Sequence, residues 1–269
     1  MKDVTFCLMT CGELTEKDCL KAIEPFKEKI VLQEVRNVYP QITALNKMLE
    51  QVETPYLVPL DADMILNSDA YDRIRFVIDK HSHDPHWHSI LFKLYDTLTE
   101  REILALKVLR TEVMKKYMFR ESATPDVEHF KRLTDNGYTC INKYLQKSTI
   151  GKHVVKGKHF CYHKYRDVYM TLKSHGWEWD KGAFMGGETI LQKSVHHFNY
   201  FMYKWAVTND DDYIWCVAGM LDGLLTEPDH KSKDLKKKPL RFNLKEAIHG
   251  FYSWWLMPEI IKAKEVMLF

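Results

Sequence analysis

Two carboxylates one residue apart, Asp61 and Asp63, close a short apolar run, Tyr56-Leu57-Val58-Pro59-Leu60. Such a pair makes a hard-oxygen site suited to Mg2+ or Mn2+, ions that keep several waters and complete their shells with substrate phosphates. The same Asp-Ala-Asp also suits an ordinary strand end, because Asp side chains cap turns. Other stretches hold chemistry-bearing side chains. Thr10-Cys11-Gly12-Glu13 follows an apolar stretch, and a glycine there lets backbone approach a ligand closely. Residues 150–163 combine two Gly-Lys-His tripeptides with a further histidine, giving His153, His159 and His163. His81, His83, His86 and His88 surround Asp84-Pro85. Alternate residues about a proline converge poorly on one ion, so a solvated connector is the expectation there.

The acidic pair must be positioned by what precedes it. Val4 to Met9 reads as a strand. A helix opens at Thr15, with Asp18 near its cap and Leu20, Ile23 and Phe26 on one side, and Pro25 bends or ends it. Ile30 to Val35 reads as a second strand, and Ile42, Leu45, Leu49 and Val52 mark one face of a helix that also carries Asn46. The run at 56–60 does not alternate, as suits a strand covered on both faces. Strand and helix thus alternate up to Asp63, which predicts a nucleotide-binding α/β half. In such sheets ligands bind beyond the carboxyl ends of the strands, where Asp61 and Asp63 would stand.

Beyond the pair, Ser68 or Asp69 caps a helix through Tyr71, Ile74, Val77 and Ile78, and Ser89 to Leu94 is a strand ending near Tyr95-Asp96. Residues 99–118 carry a mainly helical period, with a short strand at Lys107-Val108-Leu109 as the alternative. A helix from Asp126 through Phe130 and Leu133 stops at Asn136-Gly137. Helical patterns resume at 165–175, 188–203 and 211–225. Lys231 to Lys238, with Arg241 beyond, is a basic run that reads as a solvated loop and permits a nucleic-acid acceptor without establishing one. Phe251, Trp254, Trp255, Ile260 and Ile261 belong to an aromatic tail expected to close the core as a helix.

Composition narrows the class. The 269 residues, 45% hydrophobic, suffice for a full core, and 39 Lys/Arg against 37 Asp/Glu leave a net charge of +2 that demands no polyanionic partner. The six cysteines (Cys7, Cys11, Cys19, Cys140, Cys161 and Cys216) contain no Cys-x-x-Cys pair, so neither a structural zinc nor a disulfide framework is indicated and a cytoplasmic protein is expected. No segment has the roughly 20 apolar residues of a transmembrane span, and the opening Lys2-Asp3 lacks the form of a signal peptide.

The strand at 4–10, the helix around Ala44-Leu45-Asn46-Lys47-Met48-Leu49 and the strand ending in Asp61-Ala62-Asp63 together resemble the family-2-like GT-A glycosyltransferases. That family commonly reads Ala-Arg-Asn-x-Gly in the middle element; Asn46 and the Asp pair fit, whereas Leu45 stands in place of the arginine. The resemblance implies an α/β GT-A sheet flanked by helices, with a catalytic domain over 1–180 and a helical C-terminal extension over 181–269. It also implies a nucleotide-diphospho-sugar donor, with a UDP-sugar favoured, and Mn2+ or Mg2+ as cofactor. Asp61 and Asp63 would hold the ion, and Asp61 the donor ribose. The family's second strand often ends in Asp residues that hold the base; 30–37 has none, so Glu34 or Thr10, Cys11, Gly12 and Glu13 take that part.

Pro125-Asp126-Val127-Glu128 followed by Arg132-Leu133 and Gly137 resembles the family's Glu-Asp-x-Asp block. Asp126 is then the base for the acceptor hydroxyl in an inverting transfer, with Glu128 as substitute. Pro125 stands where the block has its first carboxylate. A downstream histidine commonly serves the metal or the diphosphate in this family. Lys156-Gly157-Lys158-His159 favours His159, with Lys158 neutralising the diphosphate. The acceptor class stays open among glycans, lipids, proteins and nucleic-acid bases. A nucleotidyltransferase on a similar sheet and a non-catalytic nucleotide-sugar-binding protein are the rivals; the former usually has a more glycine-rich and basic loop than Thr10-Cys11-Gly12-Glu13.

Overall fold

Strand β1 (Val4–Thr10) sends Val4, Phe6 and Leu8 to one hydrophobic cluster and Cys7 to another, and all four are buried. Burial on both faces fixes β1 as a central strand. The computed structural model of the chain describes residues 2–121, 125–142, 148–174 and 190–225. The basic run at 231–238, the aromatic tail and the expected domain boundary at 180/181 lie outside the described residues. The chain divides into two compact units, Met1–Lys156 and Gly157–Phe269.

In the first unit α1 (Glu16–Ile23) passes at Pro25 into a 3-10 helix, Glu24–Lys29, because proline removes a helical donor. Strand β2 (Val31–Arg36), α2 (Gln41–Gln51) and β3 (Tyr56–Asp61) follow, and β2 and β3 flank β1 in parallel. Then come β4 (Met64–Leu66), α3 (Ala70–His81), β5 (Trp87–Asp96), β6 (Arg101–Arg110), α4 (Thr111–Lys116), α5 (Pro125–Asp135), β7 (Thr139–Ile141) and β8 (Gly151–His153). The sheet order is β2-β1-β3-β6-β5-β8-β4, with β7 also on β5. Residues of α1 and α3 bury one face with Phe6, Leu60 and Phe92; α2, α4 and α5 bury the other with Cys7, Leu57 and Leu109. This is the α/β sheet with helices on both faces that the GT-A resemblance implies. A helical C-terminal region follows.

Two sequence expectations fail here. Residues 101–110 are strand, not helix. Their Leu, Ala, Glu, Lys and Arg are good helix formers, but β6 is the second arm of an antiparallel hairpin with β5, and register pairs from Asp96↔Arg101 to Ser89↔Leu109 override propensity. The connector at 81–88 is solvated only in part. His83 and His86 are exposed, whereas Trp87 and His88 open β5 and are 0% exposed. Trp87 stacks on Tyr56 with centroids 5.9 Å apart, and the Arg110 guanidinium lies 4.5 Å from its ring.

The second unit contains α6 (Lys158–Ser174), α7 (Ile190–Thr208) and α8 (Asp211–Leu225). Backbone contact between α6 and α8 is very close: a Cβ on Gly219 would sit 2.0 Å from the Tyr162 carbonyl oxygen. Tyr165, Tyr169, Phe201, Cys216 and Leu221 are buried within this unit. No disulfide joins any of the six cysteines. No helix among the described residues is long and apolar enough to cross a membrane.

His88 and His129 set a pH dependence for the first unit. Both are 0% exposed, and neither ring nitrogen of His88 has a hydrogen-bond partner. Burial lowers both pKa values from 6.5 to about 4; the charge of His129 adds at His88, and at His129 the charges of Arg132 and Lys107 add while a hydrogen bond with the Tyr117 backbone and the charge of Glu128 work against the shift. Unfolded histidines take up protons below about pH 6.5 while the folded ones stay neutral, so stability is full above that pH and falls towards pH 4. Each histidine contributes on the order of 3 kcal/mol to that loss when the acid limb is complete. Thermal unfolding measured from pH 7 to 4 should show a falling Tm, and His88→Leu/His129→Leu should flatten the fall.

Candidate active site

The Asp-Ala-Asp turn is held by its middle residue. Ala62 is 0% exposed; its N–H donates to the Met9 carbonyl at 3.1 Å and its own carbonyl accepts from the Thr15 hydroxyl at 2.9 Å. The turn is thereby fixed to the end of β1 and the start of α1. Asp61 is exposed, and Asp63 is half-buried. Chain direction places both at the carboxyl ends of the parallel strands, as expected for a ligand edge.

Strand β4 begins directly after Asp63, and β8 lies between β4 and β5. His153 consequently pairs with Met64 on one side and Asp96 on the other. Its ring spans two carboxylates: Nε2 is 3.0 Å from Asp63 Oδ2, and Nδ1 is 2.7 Å from Asp96 Oδ1. The Val154 N–H also donates to the Asp63 carbonyl at 2.7 Å. Asp96 is buried. Burial alone would raise its pKa, but the hydrogen bond and charge of His153 and the hydrogen bonds from Thr99 outweigh it, and the net pKa is lowered. The insertion of β8 needs Gly151, because a Cβ there would lie 2.6 Å from the Ile65 carbonyl oxygen.

At the end of β1, the Cys11 N–H donates to Glu13 Oε2 at 2.8 Å and the Gly12 N–H to Thr10 Oγ1 at 3.1 Å. Gly12 has φ +90°, a backbone that favours glycine. Thr10 Oγ1 lies 2.7 Å from both Glu13 Oε2 and Glu16 Oε2, although a hydroxyl has one proton to donate. Arg36 at the end of β2 pairs with Glu16 at 2.8 Å and Glu34 at 2.5 Å. Negative charge dominates this corner. Burial first, then the carboxylates of Asp63, Asp61, Glu16 and Glu13, push the Cys19 thiol up to about 12.

The remaining predicted residues fall as follows. Asn46 uses both ends of its amide on one backbone. Its Nδ2 donates to the Phe119 carbonyl at 3.0 Å and its Oδ1 accepts from the Phe119 N–H at 2.9 Å, so it ties α2 to the segment leading into α5. Asp126 and Glu128 sit in the first turn of α5, Asp126 2.9 Å from Lys107 Nζ and Glu128 2.9 Å from Arg132 Nε. Lys158 and His159 open α6 in the second unit, where the His159 and His163 rings lie 4.3 Å apart. Among the three candidate histidines, His153 is the one seen against Asp63. Sequence reasoning passed over it, although Gly151 two residues earlier signalled a close backbone approach. It also missed Asp96, Glu16 and Arg36. An apolar run ending on an acid marked Asp96 as it marked Asp61.

Asp63 and His153 meet at one strand edge, in a corner of negative charge, and a carboxylate with an imidazole is a donor pair that Mn2+ or Mg2+ accepts. Among the described residues no three His, Cys, Asp or Glu side chains already form a metal-holding group. Mg2+ and Mn2+ sites commonly leave positions for water and phosphate oxygen, so the set is a partial one by nature.

No family model matches the chain, and no curated protein matches its sequence. Solved structures do resemble it. A mannosyltransferase from Pyrobaculum calidifontis, in complex with GDP-Man and Mn2+, is 12% identical with a TM-score of 0.49, over 99% of this chain and 80% of the other. S. aureus TarS, residues 1–349, is 14% identical with a TM-score of 0.44, over 84% and 81%. Glucosyl-3-phosphoglycerate synthase from Mycobacterium tuberculosis, in complex with Mn2+, UDP and phosphoglyceric acid, is 14% identical with a TM-score of 0.43, over 64% and 78%.

Replacing Gly151 with alanine should force β8 and β4 apart and destabilise the first unit by about 1–3 kcal/mol. Urea denaturation checks this: a lower midpoint with an unchanged slope is expected.

Proposed function

We propose that the chain is a metal-dependent glycosyltransferase that moves a sugar from a nucleotide-diphospho-sugar, with a UDP-sugar favoured, to an acceptor hydroxyl. The observation that carries this reading is the meeting of Asp63 with His153, beside Asp61, at the carboxyl edge of a parallel strand pair. Asp63 and His153 would hold Mn2+ or Mg2+, with His153 in the part expected of His159. Asp61 takes the donor ribose or reaches the ion through water. A divalent ion bound there supplies Lewis-acid charge to the departing diphosphate.

The chain's own residues do the rest. Thr10, Cys11, Gly12 and Glu13 would hold the nucleoside, with Gly12 leaving its backbone open to contact. Glu34 and Arg36 border it at the end of β2. Asp126 accepts the acceptor's proton as attack proceeds, which requires hydrogen-bond reach of that hydroxyl, and Glu128 is the substitute. Asp126 as base makes the transfer inverting. Lys107 Nζ lies 2.9 Å from Asp126 Oδ2.

Asp63→Ala should abolish metal-dependent donor hydrolysis and transfer while the far-ultraviolet spectrum stays native. Product analysis decides the reaction class. Release of a nucleoside diphosphate agrees with glycosyl transfer, whereas pyrophosphate, or full activity in Asp63→Ala, would overturn it.

A further inference from the structure

The Asp96 carboxylate is committed on both oxygens. Its Oδ1 faces His153 Nδ1 at 2.7 Å, and its Oδ2 accepts from the Thr99 N–H at 2.9 Å and also from the Thr99 hydroxyl. His153 is held as firmly along its backbone: its carbonyl accepts from the Thr97 N–H at 3.0 Å and the Thr97 hydroxyl at 3.2 Å. Side-chain exposure is 5% for His153 and 8% for Asp96, so water does not compete for these bonds. An ionised carboxylate only accepts hydrogen bonds; Nδ1 must therefore carry a proton. Nε2 is then the nitrogen turned to Asp63.

We propose that Asp96 is a positioning residue, which through the buried Asp96–His153 pair fixes the imidazole with Nδ1 protonated and Nε2 aimed at the cation site on Asp63. This rests on the reading of Asp63 and His153 as ligands. Carboxylate support of a ligating histidine sets tautomer and ring orientation, and its loss typically weakens metal binding about 10–100-fold. Thr99 belongs to the same device, because its N–H and hydroxyl hold the second oxygen and stop the carboxylate from turning away.

Hydrogen-bond accounting makes Asp96→Asn informative. The Thr99 N–H needs an acceptor, so the amide oxygen of the variant takes the Oδ2 place and its NH2 faces Nδ1. Nδ1 must then accept, the proton moves to Nε2, and that nitrogen can no longer bind a cation. Size and shape are almost unchanged.

The test is a double-mutant cycle read by Mn2+ affinity of the full chain, from loss of the free-ion electron paramagnetic resonance signal, with no nucleotide or acceptor present. Asp96→Asn should weaken Mn2+ about 10–100-fold. In a His153→Ala background the same change should have no further effect, and the thermal unfolding of the single variant should stay close to that of the parent. Unchanged affinity in Asp96→Asn, or an equal loss in the His153→Ala background, overturns the positioning role while leaving the glycosyltransferase reading intact. A parent chain that takes no Mn2+, either alone or with a nucleoside diphosphate present, overturns the ligand assignment, and with it both. Mn2+ binding with the expected cycle, in a chain that turns over no nucleotide sugar, supports Asp96 and rejects the transferase.

Discussion

One imidazole gripped between two carboxylates is the contact on which the candidate site's geometry depends. The Asp63–His153–Asp96 chain joins the end of β3, the start of β4, the end of β5 and the whole of β8. Placing such groups out of water is costly unless charge and hydrogen bonds are matched, and here Nδ1 meets the Asp96 carboxylate while Nε2 faces Asp63. The arrangement is possible only because β8 enters between β4 and β5, and that entry requires a residue without a Cβ at 151. Backbone sterics at one glycine therefore decide where a histidine 90 places along the chain meets Asp63, rather than any feature near Asp61.

A second constraint is charge. Glu13, Glu16, Asp61 and Asp63 all act on the Cys19 thiol, which places four carboxylates about one corner. Arg36 offsets part of this from the β2 side by holding Glu16 and Glu34. Net negative charge at a strand edge is unfavourable when left alone and becomes useful when a cation arrives, because the ion then brings in the phosphates the carboxylates would repel. Local electrostatics supports function here at some expense of stability, as is usual at working sites.

Much of the fold was legible because short-range signals agreed with the tertiary arrangement. Val4 to Met9, the Pro25 break, the helix through Leu45 and Leu49 and the strand ending at Asp61 all appear within a residue or two of expectation. Gly137 terminates α5 with φ +84°, and Tyr138 N–H to Leu133 carbonyl and Gly137 N–H to Thr134 carbonyl close the turn. Residues 101–110 were illegible for the opposite reason: their composition favours helix, and only pairing with β5 makes them strand. The site divides in the same way. Asp61 and Asp63 follow from a local pattern, whereas Asp96 and His153 become neighbours through β5–β8 pairing across 57 positions. Asn46 was visible but its task was not, since Phe119 is 73 positions distant.

Function follows if the edge that holds His153 and Asp63 is where a nucleotide sugar and a divalent ion meet. A thermal-shift screen of nucleotide sugars against the full chain, with and without Mn2+, tests that most directly, because a ligand that binds the folded state raises Tm by mass action. The account predicts that one nucleoside-diphosphate sugar raises Tm strongly with Mn2+ and little without it, and that Asp63→Ala loses the metal-dependent part. No metal-dependent shift with any nucleotide sugar, or an equal shift in Asp63→Ala, would contradict it.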